Sequence, residues 1–321
     1  MGKKTKGWLI AGTILFLLGC FLMGGALMGL NWNFSKLSTT KYETNSYTIS
    51  ESFQNISILA NTADIVFVPS ETGSAVVCYE ENKAKHSVSV KEDTLVIELV
   101  DNRKWYDHIG FHFDTPKITV QIPNGDYGTL HLTSDTGDVM LPEHYRFQSM
   151  DISLSTGDIT CRSSCLEDAR IRTTTGHIHL ENLSAKALDL SVSTGDVTVN
   201  ALTCDELFQL QVSTGHGKLT DVACKSFTSH GNTGDLTLQN VIAEETITLR
   251  RSTGYVTFDR CDAREIFVET DTGDVKGTLL TDKVFFAQTD TGNVNVPKTM
   301  TGGKCKITTS TGDISIQIAP K

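Results

Sequence analysis

Apolar and polar residues alternate along most of the chain in short blocks, and these blocks recur about every twenty residues. Each block is centred on a Thr-Gly dipeptide. The ten glycines of these dipeptides are Gly137, Gly157, Gly176, Gly195, Gly215, Gly234, Gly254, Gly273, Gly292 and Gly312. Successive glycines are 19 or 20 residues apart. Self-similarity at one period predicts a repeat architecture in which neighbouring units stack on one another.

The apolar positions keep a constant register to each glycine. In the repeat of Gly195, Val197 and Val199 follow at two and four residues with the polar Thr198 between them, and Leu190 precedes the glycine by five. Alternation with a period of two predicts strands with one buried face. We therefore predict an all-β fold, a parallel β-solenoid of about ten coils of 19–20 residues. Each coil has two strands joined by the Thr-Gly turn, and a looser corner lies on the other side. The corner often carries an apolar residue, as at Leu183, Leu202, Val222, Val241 and Leu280.

The turn has a simple chemical basis. The residue before each threonine is Ser, Thr, Asp or Asn, whose short side chain starts turns, and glycine supplies the positive φ that such turns need. Coils stacked about 4.8 Å apart would form a rod on the order of 50 Å long. This register predicts that Leu190, Val197 and Leu210 are buried and that Thr198 and Lys218 are exposed.

The segment before the repeats is related to them but irregular. Ala63 takes the place of the turn glycine in a first coil, and residues 101–116 interrupt the strands that follow. We interpret residues 47–123 as an irregular N-terminal cap and residues 124–321 as the solenoid repeat domain. Pro320 and Lys321 predict a blunted edge at the other end. His108 and His112 lie in this interruption, which is either an aromatic-rich loop or a metal site.

An apolar run without charge spans Trp8 to Leu30, long enough to cross a bilayer. Lysines precede it, so the positive-inside rule predicts a cytoplasmic tail at residues 1–7, a transmembrane helix at 8–30, a juxtamembrane linker at 31–46 and an extracytoplasmic solenoid. Two alternatives stay open: a cleaved signal peptide, and a lipoprotein signal in which Cys20 is lipidated.

Charge and cysteine usage narrow the function classes. Residues 31–321 carry 25 basic and 38 acidic side chains, a net charge of about −13, which disfavours nucleic acid as a partner. The eight cysteines form no CxxC pair, and most fall on apolar positions of the repeat. Cys204 and Cys224 both lie nine residues after a turn glycine in neighbouring coils, so we expect them to be close in space.

The column of residues directly after the turn glycines is the main candidate for chemistry. It contains six aspartates, which are interpreted as turn-forming residues: Asp138, Asp158, Asp196, Asp235, Asp274 and Asp313. Between Asp158 and Asp235 the column alternates Asp and His. This alternation either relieves repulsion between carboxylates or forms a pH-responsive or metal-binding strip of His177, Asp196 and His216. We assign no catalytic residue and no cofactor.

The strand Ile118–Pro123, followed by serial Ser/Asp-Thr-Gly-Asp-Val/Ile turns, resembles the DUF4097 family of bacterial β-strand-repeat proteins, which carry an adhesin label. The resemblance covers residues 50–318. It implies a cell-envelope protein with a single N-terminal span, often found alongside envelope-stress genes, and it brings no catalytic residues.

Three function classes remain. The first is a non-catalytic, membrane-anchored binding or adhesin-like module whose envelope or protein partner the sequence does not name. The second is a membrane-tethered regulatory or envelope-stress accessory protein. The third is a carbohydrate-active β-helix enzyme, which the near-uniform repeat disfavours, because enzyme sites use single residues inserted on one face.

Overall fold

A computed structural model describes residues 3–29, 31–32, 40–105 and 114–320. His108 and His112 lie outside the described residues. One helix, α1 (Lys3–Gly29), precedes an all-β region. The strands before the repeats are β1 (Tyr42–Ile49), β2 (Asn55–Leu59), β3 (Asp64–Pro69), β4 (Ser74–Glu81), β5 (Ala84–Lys91), β6 (Thr94–Asp101) and β7 (Lys117–Ile122). Residues 42–46 were predicted as linker but belong to β1.

Strands β8 to β25 form the repeat region. They are β8 (Gly125–Thr136), β9 (Val139–Leu141), β10 (Tyr145–Thr156), β11 (Ile159–Cys161), β12 (Ser164–Cys165), β13 (Asp168–Thr175), β14 (Ile178–Ala185), β15 (Ala187–Thr194), β16 (Val197–Thr214), β17 (Gly217–Thr233), β18 (Leu236–Thr253), β19 (Val256–Cys261), β20 (Glu265–Thr272), β21 (Val275–Leu279), β22 (Lys283–Thr291), β23 (Val294–Asn295), β24 (Gly303–Thr311) and β25 (Ile314–Ile318).

The repeat strands pair in parallel with the strands one coil away, which confirms the predicted β-solenoid. Leu190 pairs with Ile171 in the preceding coil and with Leu210 in the next, and all three are buried. Val197 is also buried and Lys218 is exposed, as predicted. Thr198 was predicted to be exposed but is half-buried, because the side chains of the coils on either side flank it on the outer face.

The coils have a third short segment that the two-strand prediction lacked. In the central coils, the residue six positions after the turn glycine has a left-handed backbone with φ near +53°, and the chain bends there. These corner residues are Asn182, Ala201, Asp221, Asn240 and Arg260. The segment after the bend pairs with its neighbours, as Leu183 does with Leu202. In the coil of Gly273 the buried corner residue is Leu279, and the predicted Leu280 is half-buried; Leu279 pairs with Cys261 of the preceding coil.

The coils do not stack in sequence order at the ends of the solenoid. The last coil in sequence, β24–β25, inserts between the coil of β20–β21 and the coil of β22–β23. The outermost coil is therefore β22–β23, and the edge predicted at Pro320 is not the outermost one. Burial of apolar side chains accounts for this stacking order. Ile307 and Ile314 of the inserted coil are fully buried, whereas Phe285 and Ala287 of the outermost coil stay half-buried.

The N-terminal end shows the same inversion and is covered. Strand β2 pairs with β6 on one side and with β8 on the other, so the coil made by β6 and β7 lies outside the coil made by β2 and β3. Ala63 is fully buried, and its N–H donates to the carbonyl of Thr136 at 2.9 Å. Outside this coil, β4 pairs antiparallel with β7, β1 with β4, and β5 with β6. The change to antiparallel pairing ends the solenoid.

Among the residues that the structure describes, Arg251 has a guanidinium buried inside the solenoid. Arg251 is 3% exposed; its Nη2 donates to Ser229 Oγ at 3.1 Å, and no partner for its Nε is found among the described residues. Burial lowers the pKa of Arg251 to about 10, with Asp235 opposing the shift, so the group is charged at neutral pH. Three small residues of the preceding coil give it room. Gly217, Ser229 and Gly231 stand where the coil before has Val197, Leu210 and Val212.

Replacing Arg251 with methionine is expected to raise the free energy of unfolding by roughly 1–3 kcal/mol, because it removes a buried charge and a buried donor without a partner. Urea denaturation followed by circular dichroism measures the change. The matched control is Arg250→Met, whose exposed side chain lies 3.4 Å from Glu269 and whose loss should change stability by at most about 0.5 kcal/mol. A less stable Arg251→Met variant would show that the guanidinium stabilises the coil.

Candidate functional site: the turn ladder and the open end

The residues after the turn glycines form a hydrogen-bonded ladder on the outside of the solenoid, interrupted at Tyr255. All ten turn glycines have φ between +124° and +149°. At every step except that from Tyr255 to Asp274, the side chain in one coil accepts the backbone N–H of the residue at the same position in the adjacent coil. Asp158 Oδ1 accepts the N–H of His177 at 2.7 Å, and Asp196 Oδ1 accepts that of His216 at 2.7 Å. The same bond is made by Oδ1 of Asp138, Asp235, Asp274 and Asp313.

These bonds give the aspartate column a structural role. The backbone N–H that each Oδ1 accepts holds the carboxylate against the turn of the neighbouring coil. The coil order at the C-terminal end is also visible here, since Asp274 accepts the N–H of Asp313 and Asp313 accepts that of Asn293. The ladder therefore follows spatial order rather than sequence order.

The two histidines of the strip His177, Asp196 and His216 take part in the same ladder. Nδ1 of His177 accepts the N–H of Asp196 at 3.1 Å, and Nδ1 of His216 accepts the N–H of Asp235 at 3.3 Å. The structure thus brings these three residues into one exposed row, with Nδ1 of each ring occupied by a backbone bond.

A different group of side chains has metal-ligand spacing. Among the residues that the structure describes, the His, Cys, Asp or Glu group whose ligand atoms all lie within 4.8 Å of one another is Cys78, Glu80 and His86 in the cap. This group was not predicted from the sequence. The available signal was a glutamate at position 80, on the same side of β4 as Cys78, where an inward-facing strand residue would normally be apolar.

The cysteines outside α1 are buried and reduced. Cys204 and Cys224 are paired in register in neighbouring coils, which places their Cα atoms about 4.8 Å apart, yet both are free thiols. Burial raises the pKa of Cys224 to about 12, with smaller contributions from Cys204 and Glu244. The Cys224 thiol therefore stays protonated at neutral pH.

The outermost C-terminal coil leaves an apolar strand edge open. Strand β22 pairs with β24 on one side, and no partner on its other side is found in the described part of the chain. Phe285 and Ala287 face the interior but are only half-buried, while Phe286 and Val294 are 55% and 45% exposed. From Val284 to Thr289 this edge has no charged residue. The N-terminal end differs, because charged side chains such as Glu43 and Lys85, 2.5 Å apart, lie on its edge strands β1 and β5.

Helix α1 provides a second exposed surface, which is apolar over most of its length. Residues Gly7–Gly29 have a mean hydropathy of 2.2, and none of this segment is buried against the rest of the protein. By length and composition the helix can cross a membrane or act as a signal sequence.

The fold and the turn ladder define the protein as a parallel β-solenoid preceded by one apolar helix. The chain belongs to the DUF4097 family, described as "Toastrack DUF4097", whose family model matches residues 53–217 and 202–321. This confirms the resemblance found in the sequence. No curated protein has a sequence that matches this chain.

Solved structures of bacterial proteins are similar to this chain. A "putative lipid binding protein" from Parabacteroides distasonis ATCC 8503 is 16% identical, with a TM-score of 0.49, over 75% of this chain and 95% of that chain. A "putative adhesin" from Bacteroides fragilis NCTC 9343 is 16% identical, with a TM-score of 0.42, over 87% and 97%. A "putative adhesin" from Parabacteroides distasonis ATCC 8503 is 14% identical, with a TM-score of 0.44, over 87% and 98%. Similarities of this size transfer no function to this chain.

Proposed function

We propose that this protein is a non-catalytic binding module of the bacterial cell envelope, with α1 in the membrane and the solenoid outside the cell. Lys3, Lys4 and Lys6 before the apolar segment support a cytoplasmic N-terminus. The use of the aspartate column as backbone acceptors supports a structural rather than a catalytic role for those carboxylates.

The observation that carries the proposal is the open apolar end of the solenoid. Natural sheets protect their edges with charges, prolines or covering segments, because an exposed edge pairs with other strands. The N-terminal end of this solenoid is protected in that way by β1, β4 and β5. At the C-terminal end the edge segment from Val284 to Thr289 is uncharged instead, and the partly exposed Phe286 and Val294 lie beside it. This end is the surface built for a partner.

The occupant that we propose is the same end of a second copy. Two β22 edges can pair antiparallel about a two-fold axis, and such an interface is self-complementary. The net charge of about −13 on residues 31–321 makes most contacts between copies repulsive, whereas the edge segment from Val284 to Thr289 carries no charge. The chain enters each solenoid at its capped end, so an end-to-end pair separates the two N-terminal segments. This arrangement suits a contact between the two membrane surfaces in which the N-terminal helices are anchored.

Charge introduced at the open end is expected to abolish self-association. In detergent, the full-length protein should be dimeric at micromolar concentration by analytical ultracentrifugation. A Phe286→Lys, Val294→Lys variant should weaken the dimer at least about tenfold, because two pairs of like charges would meet across the two-fold axis.

The matched control is Leu207→Lys, which changes an apolar residue of similar exposure, 41%, on the side of a central coil. This variant should dimerise like the wild type. A wild-type protein that stays monomeric, or a dimer that is equally weakened by Leu207→Lys, would contradict the proposal.

A further inference from the structure

The N-terminal cap buries three potential metal ligands together. Strands β4 and β5 are joined by the two residues Asn82 and Lys83, and they separate so that β4 pairs with β7 while β5 pairs with β6. This hairpin therefore crosses the end of the solenoid. Cys78 and Glu80 point inward from β4, and His86 reaches them from β5. Their exposures are 0%, 0% and 4%.

The donor atoms of the three side chains converge. The Cys78 sulfur, a Glu80 carboxylate oxygen and a His86 ring nitrogen all lie within 4.8 Å of one another, and His86 Nδ1 is 2.8 Å from Glu80 Oε2. Zinc bonds of about 2.0–2.3 Å to N, O and S ligands place such atoms roughly 3–4 Å apart around one ion. Movements of about an ångström or less would thus bring all three onto a common centre.

Neighbouring groups already fix the orientation of the ligands. The Asn45 amide donates to Glu80 Oε1 at 2.7 Å, and the His86 backbone N–H donates to Glu80 Oε2 at 2.6 Å. The Tyr47 hydroxyl donates to the carbonyl of His86 at 3.1 Å. Partners of this kind hold first ligands in place and tune their affinity for a metal.

We propose that Cys78, Glu80 and His86 form a binding site for a divalent transition-metal ion of the Zn²⁺ type, which locks the cap hairpin onto the solenoid. Thiolate, carboxylate and imidazole are the ligand types that this ion takes in proteins. Binding converts the Cys78 thiol to a thiolate, whose proton passes to solvent, and the proton that His86 Nδ1 shares with Glu80 Oε2 moves to Nε2 of the ring. Because the ion binds the folded cap and holds β4 to β5, it stabilises the end of the solenoid from which the coils propagate.

Cobalt and zinc binding to the purified full-length protein in detergent tests the site. One equivalent of Co²⁺ should give the thiolate-to-metal charge-transfer absorption, and Zn²⁺ should displace it and raise the melting temperature. Cys78→Ser should abolish the absorption band, and His86→Gln should weaken Zn²⁺ binding at least about tenfold.

Two variants outside the cap serve as controls. Cys204→Ser removes another buried thiol, and His216→Asn removes an exposed histidine from the turn ladder; both should keep the cobalt band and the zinc shift. Thermal melting of each metal-free variant shows whether it folds. If Cys78→Ser does not fold, His86→Gln still tests the site. The proposal is overturned if the wild type shows no cobalt–thiolate band, or if the band persists in a folded Cys78→Ser variant.

Discussion

Substitution of Gly195 by alanine is expected to destabilise the protein by roughly 3–5 kcal/mol, because it adds backbone strain to a steric clash. Gly195 has φ of +137°, a conformation that residues with a Cβ rarely adopt. A methyl group at this position would also lie far inside van der Waals contact of the carbonyl oxygen of Gly176 in the coil below. The turn column is packed backbone on backbone, so the clash can be relieved only by separating two coils.

Gly73→Ala separates the backbone strain from the steric clash. Gly73 has a similar φ of +130°, but no atom lies within 4 Å of the place where its Cβ would be. This variant should therefore lose only the strain energy, about 1–3 kcal/mol. Urea denaturation of the three proteins, followed by circular dichroism, gives the comparison. Equal losses at Gly195 and Gly73 would show that contact between the turns contributes nothing to stacking.

The second large effect is expected in the core. Leu190→Ala should cost about 2–5 kcal/mol, because the side chain is fully buried between Ile171 and Leu210 and its loss leaves a cavity that neighbouring coils cannot close. The matched control is Thr198→Ala on the outer face, which is half-buried and should cost about 0.5 kcal/mol or less. The same denaturation experiment measures both, and equal costs would mean that the inward and outward faces of the strands are wrongly assigned.

The candidate surfaces differ in how far the sequence could predict them. The column after the turn glycines was visible as a column, because its period is that of the repeat. Its hydrogen bonds were not, since the acceptor role of His177 depends on ring orientation relative to the next coil. The Cys78, Glu80 and His86 group was missed because β4 and β5 follow neither the repeat nor a regular hairpin. Their side chains meet only because the two strands pair with different faces of the solenoid.

The sequence by itself determined the coil: its length, its turn, and which residues of each strand face inward. Period-two alternation fixed to a glycine leaves only one way to bury the apolar stripe, so Leu190 and Val197 could be placed from the pattern alone. The left-handed corner at Ala201 and its equivalents could not, because residues as different as Asn, Ala, Asp and Arg occupy it.

Only the tertiary structure decided the order of the coils at the two ends and the space that small residues leave for the side chain of Arg251. Every coil offers nearly the same backbone ladder and the same turn, so hydrogen bonding does not distinguish one stacking order from another. The choice rests on side-chain packing: the coil with Ile307 and Ile314 is buried, and the coil with Phe285 and Ala287 is left outermost. Arg251 likewise fits only because Gly217 and Gly231 belong to the coil against which it packs. The repeated pattern strongly specifies the structure of each coil, but it only weakly specifies which coils stack on each other. Complementary side-chain volumes between particular coils decide that order.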